Sequence, residues 1–445
     1  MEPTFDVVVV GAGIAGLAAA ARLGQSGRTV VILEARERVG GRIWTERDSK
    51  SAVPAELGAE FIHGLPPEIW QPLQNSKVEI TEVEGSYWCR NGRLARCDFS
   101  EEVQAILKKM DDRSPDESFV EFLEKCCGNA RDKRQEKTKK RAVSYVSGFN
   151  AADPRLVGVH WLVKEMQAEE LIQGDRAFRC VKGYEELVSI FRAQLAEANV
   201  AVRLATVVSD IKWKPGEVRI TARGPDGTSI FAARQVIVTL PLGVWKAAPG
   251  QVGAVRLIPA LAQDKITAMD KLEMGRVIRL VLQFRHRFWE TISPADDKSK
   301  TLSDMSFLFS DDSWFPTWWT RMPDPAPVLT GWAPFECADR LSGKDRSFVI
   351  HRGLATLSSL LDVSLENLDG WLEGAHFHDW QNDPFARGAY SYGKVGADGA
   401  HEAWARPVDN TLFFAGEATD VTGNNGTVHG AIASGHRAAD EILRG

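Results

Sequence analysis

The chain has 445 residues, too many for one ordinary hydrophobic core, so two domains are expected. Its 44% apolar and 26% charged residues are those of a globular chain, and a formal net charge of −6 argues against a protein that grips nucleic acid or an anionic membrane through a basic surface. No apolar run is long enough to span a bilayer.

The first strand-like run, Phe5 to Val10, begins so close to Met1 that no signal peptide is expected. It is β-branched, as in a strand buried on both faces of a parallel sheet. Gly11-Ala12-Gly13-Ile14-Ala15-Gly16 follows, then an alanine-rich helix from Leu17 to Leu23, then a second β-branched run from Thr29 to Leu33 that closes on Glu34. This βαβ order is that of a dinucleotide site. Gly11 permits the tight turn, Gly13 lets backbone approach a pyrophosphate, and Gly16 lets helix and strand pack closely. The helix N-terminus offers free N–H groups to the phosphates, and Glu34 stands where a carboxylate accepts bonds from ribose hydroxyls. Arg38 to Thr45 then sets Gly40 and Gly41 between Arg38 and Arg42, a second close backbone approach with a charge-assisted donor.

Residues 53–64 read as a loop with a short helix, and residues 66–180 as mostly helical. The basic stretch Arg131 to Arg141 reads as a solvated helix face, since Asp132 and Glu136 interrupt it. Residues 184–199 form an amphipathic helix with Leu187, Phe191 and Leu195 on one side. Alternating runs at 200–204, 207–213, 218–221 and 235–240 predict a small antiparallel sheet, with Pro225-Asp226-Gly227 as a hairpin turn. Val277 to Phe284 is a strand. Trp314, Trp318, Trp319 and Trp332 fit an apolar funnel and core packing equally well. His376 and His378 alternate as on a strand, without a third ligand to make a metal site. The six cysteines, Cys89, Cys97, Cys126, Cys127, Cys180 and Cys337, show no metal spacing and no disulfide framework, so reduced thiols and a cytoplasmic setting are expected. Finally, Thr411 to Glu417 reads as a buried strand ending in Gly416-Glu417. A glycine-rich loop follows, and then a helix over 431–443 whose start would stabilise negative charge on a reduced cofactor ring.

Taken over nearly the whole chain, these residues resemble the flavin-containing amine oxidase family. Gly11–Gly16 with Glu34 and Arg38–Arg42 resemble its amino-terminal signature, Thr239-Leu240-Pro241-Leu242-Gly243-Val244 an internal segment, and Gly416–Thr419 with Thr427–Ala431 its carboxy-terminal signature. The resemblance is closest to the polyamine oxidase and lysine-specific histone demethylase branch, through Phe61-Ile62-His63-Gly64, Asp383 to Tyr392, and Thr427. It implies an α/β fold: a Rossmann-like, glutathione-reductase-like FAD-binding domain from residues 1–75, 180–255 and 380–445, and a discontinuous α+β substrate domain from 76–179 and 256–379. It implies a cofactor shell of Gly11, Gly13, Ala15, Gly16, Glu34, Ala35, Arg36, Gly40, Gly41, Arg42, Val208, Thr239, Gly416, Glu417, Thr427 and Val428. Ala389 stands where monoamine oxidases link the flavin through cysteine, so FAD is expected to be bound non-covalently.

The implied chemistry is oxidation of an amine, polyamine or monoamine, by hydride transfer from the carbon α to nitrogen to flavin N5, with O2 or another acceptor taking the electrons. Trp380, Tyr390 and Thr427 would shape the pocket. His63, and less surely Glu60, would receive a second ammonium at the channel mouth. Arg279 aligns with the family lysine that holds a water near N5 and is linked to reaction with oxygen. Arginine stays charged and planar, so a tunable ammonium is lost there. Two other readings stay open: a flavin dehydrogenase or desaturase on a non-amine substrate, and an FAD-containing binding protein with negligible turnover.

Overall fold

The computed structural model describes residues 4–47, 53–97, 100–127, 133–295 and 297–445. The strand Thr4–Val10 runs parallel to Val30–Leu33 on one side and to the second half of Gly227–Val238 on the other, with Val7 to Val10 almost fully buried. Such a run has no solvent face, which is why it is continuously β-branched rather than alternating. Ala201–Arg203 extends this sheet beside Val30–Leu33, and Leu412–Phe414 joins Gly227–Val238 in parallel. The helices Ile14–Gln25, Glu185–Glu197 and Val428–Arg444 pack on one face. The fold is thus α/β and Rossmann-like.

The run at 200–240 is not the separate antiparallel sheet expected from alternation. Ala201–Arg203 belongs to the parallel layer, and Gly227–Val238 is one long strand. Its first half pairs antiparallel with Glu217–Gly224 and its second half lies between parallel neighbours. Pro225 and Asp226 make the hairpin turn, as Gly224 faces Gly227. The strand Arg256–Ile258, just past the expected boundary at 255, still pairs with Val207–Lys214.

A second, seven-stranded sheet runs in the order Leu372–His378, Val277–Phe284, Val328–Pro334, Thr317–Trp319, Met305–Ser310, Ser86–Asn91, Arg93–Arg96. Period-two alternation along Val277–Phe284 sends Ile278, Leu280, Leu282 and Phe284 into a core with Leu354 and Leu357 of the helix Arg346–Leu361. Its odd positions face the other way, and Arg279 is among them. The helices Phe119–Cys127, Lys133–Phe149 and Val159–Leu171 gather around Phe119, Val146 and Leu162.

Three local expectations are overturned. Residues 80–96 are strands, not helix: Ile80–Glu82 pairs with Ala177–Cys180, while Ser86–Asn91 and Arg93–Arg96 form a hairpin. That hairpin joins Cys89 to Cys97 as a disulfide, with Cα atoms 5.7 Å apart, so these two are not the thiols expected. Their spacing gave no warning because a hairpin, invisible within a segment read as helix, is what brings them together. Residues 53–64 hold no helix; Ala55–Glu56 and Ile62–His63 are short strands. Of the basic stretch, Arg131 and Asp132 lie outside the described residues; the remainder opens the helix Lys133–Phe149, with Glu136 and Lys137 exposed. No helix among the described residues is long and apolar enough to cross a membrane.

Candidate active site

Between the two sheets and the helical cluster lies a cavity of about 2300 Å³. That is more than twice the upper range of an ordinary small-molecule pocket, about 1,000 Å³, so it has room for a large cofactor and a substrate together. Every cofactor and catalytic candidate named from the sequence lines it except Gly16, which acts behind it; of the four funnel tryptophans, Trp319 and Trp332 do.

At one end, Gly11 turns with φ +102°, and a Cβ on Gly16 would stand 2.1 Å from the Gly11 carbonyl, so the helix can approach the strand only through glycine. Gly13 opens the helix Ile14–Gln25 with no side-chain cap, and a Cβ built on it meets nothing within 4 Å. Backbone there faces empty space: a cradle beside free helix N–H groups, fit for a pyrophosphate. The Gly40-Gly41 turn belongs to the same cradle. Gly40 donates to the Ala12 carbonyl at 2.8 Å, and a Cβ on Gly41 would sit 3.1 Å from the Gly13 Cα. Glu34 is buried and accepts from the Ala12 and Arg36 amides at 2.7 and 2.9 Å, one bond on each oxygen. A carboxylate has about four acceptor sites, so capacity for ribose hydroxyls remains. These residues fit FAD.

At the other side, Arg42 donates to the Ala389 carbonyl at 2.7 Å and to Glu417 at 2.9 Å. Glu417 also accepts from Ser391 Oγ, the Ser391 amide and the Gly426 amide. These bonds, three of them on one carboxylate oxygen, brace the glycine-rich loop. Thr427 caps the helix Val428–Arg444, accepting from the Gly430 amide at 2.9 Å and donating to the Asn424 carbonyl at 2.7 Å. The helix begins three residues earlier than the sequence suggested.

On the substrate side, Trp380 is buried and held by a bond from Nε1 to the Leu57 carbonyl at 2.8 Å. The Tyr390 hydroxyl donates to the Phe149 carbonyl at 2.6 Å, and burial raises its pKa. His63 packs against the rings of Phe61 and Phe149, and burial lowers it to about 4, so it is neutral at ordinary pH. Trp319 and Trp332 line the cavity, whereas Trp318 is core and Trp314 packs on Phe348. His376 and His378 bond Glu46 and Asp383 at 3.0 and 2.7 Å.

Arg279 is 5% exposed. It donates to the Gly58 and Glu56 carbonyls at 2.5 and 3.3 Å, lies 3.4 Å from Glu60, and sits against both the Trp319 and Trp332 indoles. Glu60 is neither a channel-mouth anion nor a surface carboxylate. It is buried, bonded to Arg179 at 2.6 Å and to Trp319 Nε1 at 3.1 Å. Burial alone would raise its pKa, but Arg179 and Arg279 hold it below the usual carboxylate range. With two guanidiniums attached, it has no charge left for a substrate ammonium. Glu60→Gln would strand both arginines, so a cost of about 3–5 kcal/mol and a clearly lower unfolding temperature are expected. An unchanged thermal scan would contradict this pairing.

Sequence reasoning missed the acids that are free. Glu165 and Glu169 lie one turn apart on the helix Val159–Leu171 and line the cavity with Asp175. Glu165 accepts from Asn150 at 2.5 Å, and among the described residues no cation bonds either carboxylate. Burial, reinforced by the neighbouring acids, raises both, Glu169 to about 7. The i, i+4 spacing was visible, but on a charged helix it reads as a solvated face.

A family model described as flavin containing amine oxidoreductase matches residues 14–443. The chain belongs to that family, and its cofactor is FAD. Among relatives, lysine-specific histone demethylase 2 of Homo sapiens is 28% identical over 98% of this chain and 53% of its own length. Polyamine oxidase 2 of Arabidopsis thaliana is 25% identical over 98% of this chain and 87% of its own. The chain spans about half the length of most of the demethylases it matches, and 30% of one of them. Wild-type putrescine oxidase bound to putrescine shares the fold at a TM-score of 0.80 and 20% identity, covering all of both chains. Cyclohexylamine oxidase from Brevibacterium oxydans IH-35A does so at 0.77 and 19%, over 99% of each.

Proposed function

We propose that this protein oxidises a small amine carrying a second ammonium group, a diamine or polyamine, with the imine leaving to hydrolyse to an aldehyde. When bound, FAD supplies the hydride acceptor, N5; Ala389 offers no nucleophile, so the cofactor is held without a covalent link. The observation that carries the substrate reading is the Glu165–Glu169 pair. Two cavity-lining carboxylates that no cation bonds among the described residues are suited to bind an ammonium.

The chain's own residues then have these tasks. Tyr390 and Trp380, each fixed by a hydrogen bond to backbone, hold the reacting amine between rigid walls. Neutral His63, with Phe61 and Phe149, keeps that end dry, so that the amine sheds its proton before reaction. Matches with proteins named as polyamine and putrescine oxidases support this reading.

The pH dependence follows from the raised carboxyls. Glu169, raised to about 7 by burial and by Asp175, is largely protonated below about pH 6 and loses its hold on an ammonium; above about pH 8 it is ionised. The ratio of kcat/KM for a diamine to that for a monoamine of equal length should therefore climb across this range in the native protein. It should stay flat in Glu169→Gln. A ratio independent of pH in both proteins would remove the acid pair from substrate binding.

The electron acceptor is O2 or another oxidant, and Arg279 decides between them. Its guanidinium is tied to two carbonyls and Glu60, so it offers a fixed charge in place of a movable ammonium. Arg279→Lys should speed reoxidation of the flavin by air by about tenfold or more, about 1.4 kcal/mol off the barrier. Equal rates in stopped-flow reoxidation would mean that the arginine does not limit oxygen use.

A further inference from the structure

Cys126 and Cys127 are the last two residues of the helix Phe119–Cys127. Neighbouring side chains on a helix do not face each other. Yet these two sulfurs are in contact with each other. Both thiols are free and half-buried at the edge of the helical cluster. Burial and the adjoining thiol push Cys126 up to about 12, while Lys109 and Lys139 pull the other way. The pair is thus quiet toward weak electrophiles but flanked by cations that favour a thiolate once one forms. One turn earlier, Leu123 and Glu124 line the cavity, and Lys139 and Val143 face it from the adjoining helix.

We propose that Cys126 and Cys127 form a redox-sensitive dithiol which hydrogen peroxide converts to a vicinal disulfide, reshaping the helical wall of the cavity. One sulfur attacks peroxide and the O–O bond breaks, giving a sulfenic acid and water. The second sulfur displaces the hydroxyl as a second water, and the S–S bond forms. The two cysteines lose two electrons and two protons, and one peroxide becomes two waters. A small ring closed by adjacent residues cannot keep helical geometry at both, so the last helical turn unwinds. The other cysteines do not compete: Cys89 and Cys97 are already joined, and Cys180 and Cys337 each lack a free thiol neighbour among the described residues. Peroxide is the product if O2 accepts the electrons, which would make the device a feedback on turnover, but the chemistry itself needs only peroxide from any source.

The test is peptide mass mapping of the holoprotein after titration with added hydrogen peroxide, independent of any amine turnover. The peptide holding both cysteines should lose two hydrogen atoms and regain them with dithiothreitol, and phenylarsine oxide bound beforehand should block the loss. Cys126→Ser and Cys127→Ser should each abolish it while keeping the native flavin spectrum. In wild type, but not in these variants, the same treatment should alter the rate of amine-dependent bleaching. A peptide that stays unchanged, gains oxygen on one cysteine alone, or ignores the arsenical would overturn the proposal.

Discussion

Replacing Gly13 by valine is expected to give a folded protein that holds no flavin. The position has φ −66° and ψ 170°, extended backbone that any residue adopts, and a Cβ there meets no protein atom within 4 Å. The cost to folding is therefore small. The added groups would instead fill the space proposed for the cofactor's phosphates at the start of the helix Ile14–Gln25. Losing two such charge-assisted bonds, at about 1.5–3 kcal/mol each, lowers affinity by roughly 10²–10⁴-fold. Purified Gly13→Val should be colourless, with the circular dichroism of the native apoprotein. A yellow variant of normal affinity would show that phosphate does not sit at this helix. Gly16→Val makes the contrasting case. Its Cβ would collide with the Gly11 carbonyl, so it should lose stability as well as flavin.

The second large effect concerns the acids of the helix Val159–Leu171. Glu165→Gln with Glu169→Gln should lower kcat/KM for a diamine by about 10²–10³-fold, the range for removing one side of a desolvated ion pair, and barely change it for a monoamine. The same double variant should melt at a higher temperature than the native protein at pH 8 without substrate. Both folded-state pKa values are raised, that of Glu169 to about 7, so the folded protein has no penalty below the ordinary carboxyl range and an increasing one as pH rises above it. Glutamine removes that penalty. Stability lost to a site and recovered when the site is destroyed is a mark of function. Equal losses with diamine and monoamine would instead assign the two glutamates a structural role.

The cofactor half of the molecule was legible because its signals are local. A strand, a glycine turn, a helix start and Glu34 fall within one short segment, and each has a steric reason for its residue type. The substrate half depends on which face of an element meets the cavity, and that is set by distant packing. Arg279 could be flagged because strand alternation fixes its side, but its partner Glu60 was misread for want of Arg179, which lies 119 residues away. Glu165 and Glu169 sit on a helix of weak amphipathic pattern, so nothing local tells the cavity side from the solvent side. The disulfide was missed for a related reason: Cys89 and Cys97 meet only through a hairpin whose strands, Ser86–Asn91 and Arg93–Arg96, are charged and short.

Amine oxidation is tested most directly by anaerobic titration of the yellow protein with putrescine, a longer polyamine and a monoamine of matched length, followed through the flavin absorption. It predicts that the diamine or polyamine bleaches the flavin, at far lower concentration than the monoamine does. Subsequent admission of air then gives the rate at which O2 serves as acceptor. A flavin that no amine bleaches, while dithionite reduces it normally, would contradict the account and leave only the cofactor site standing.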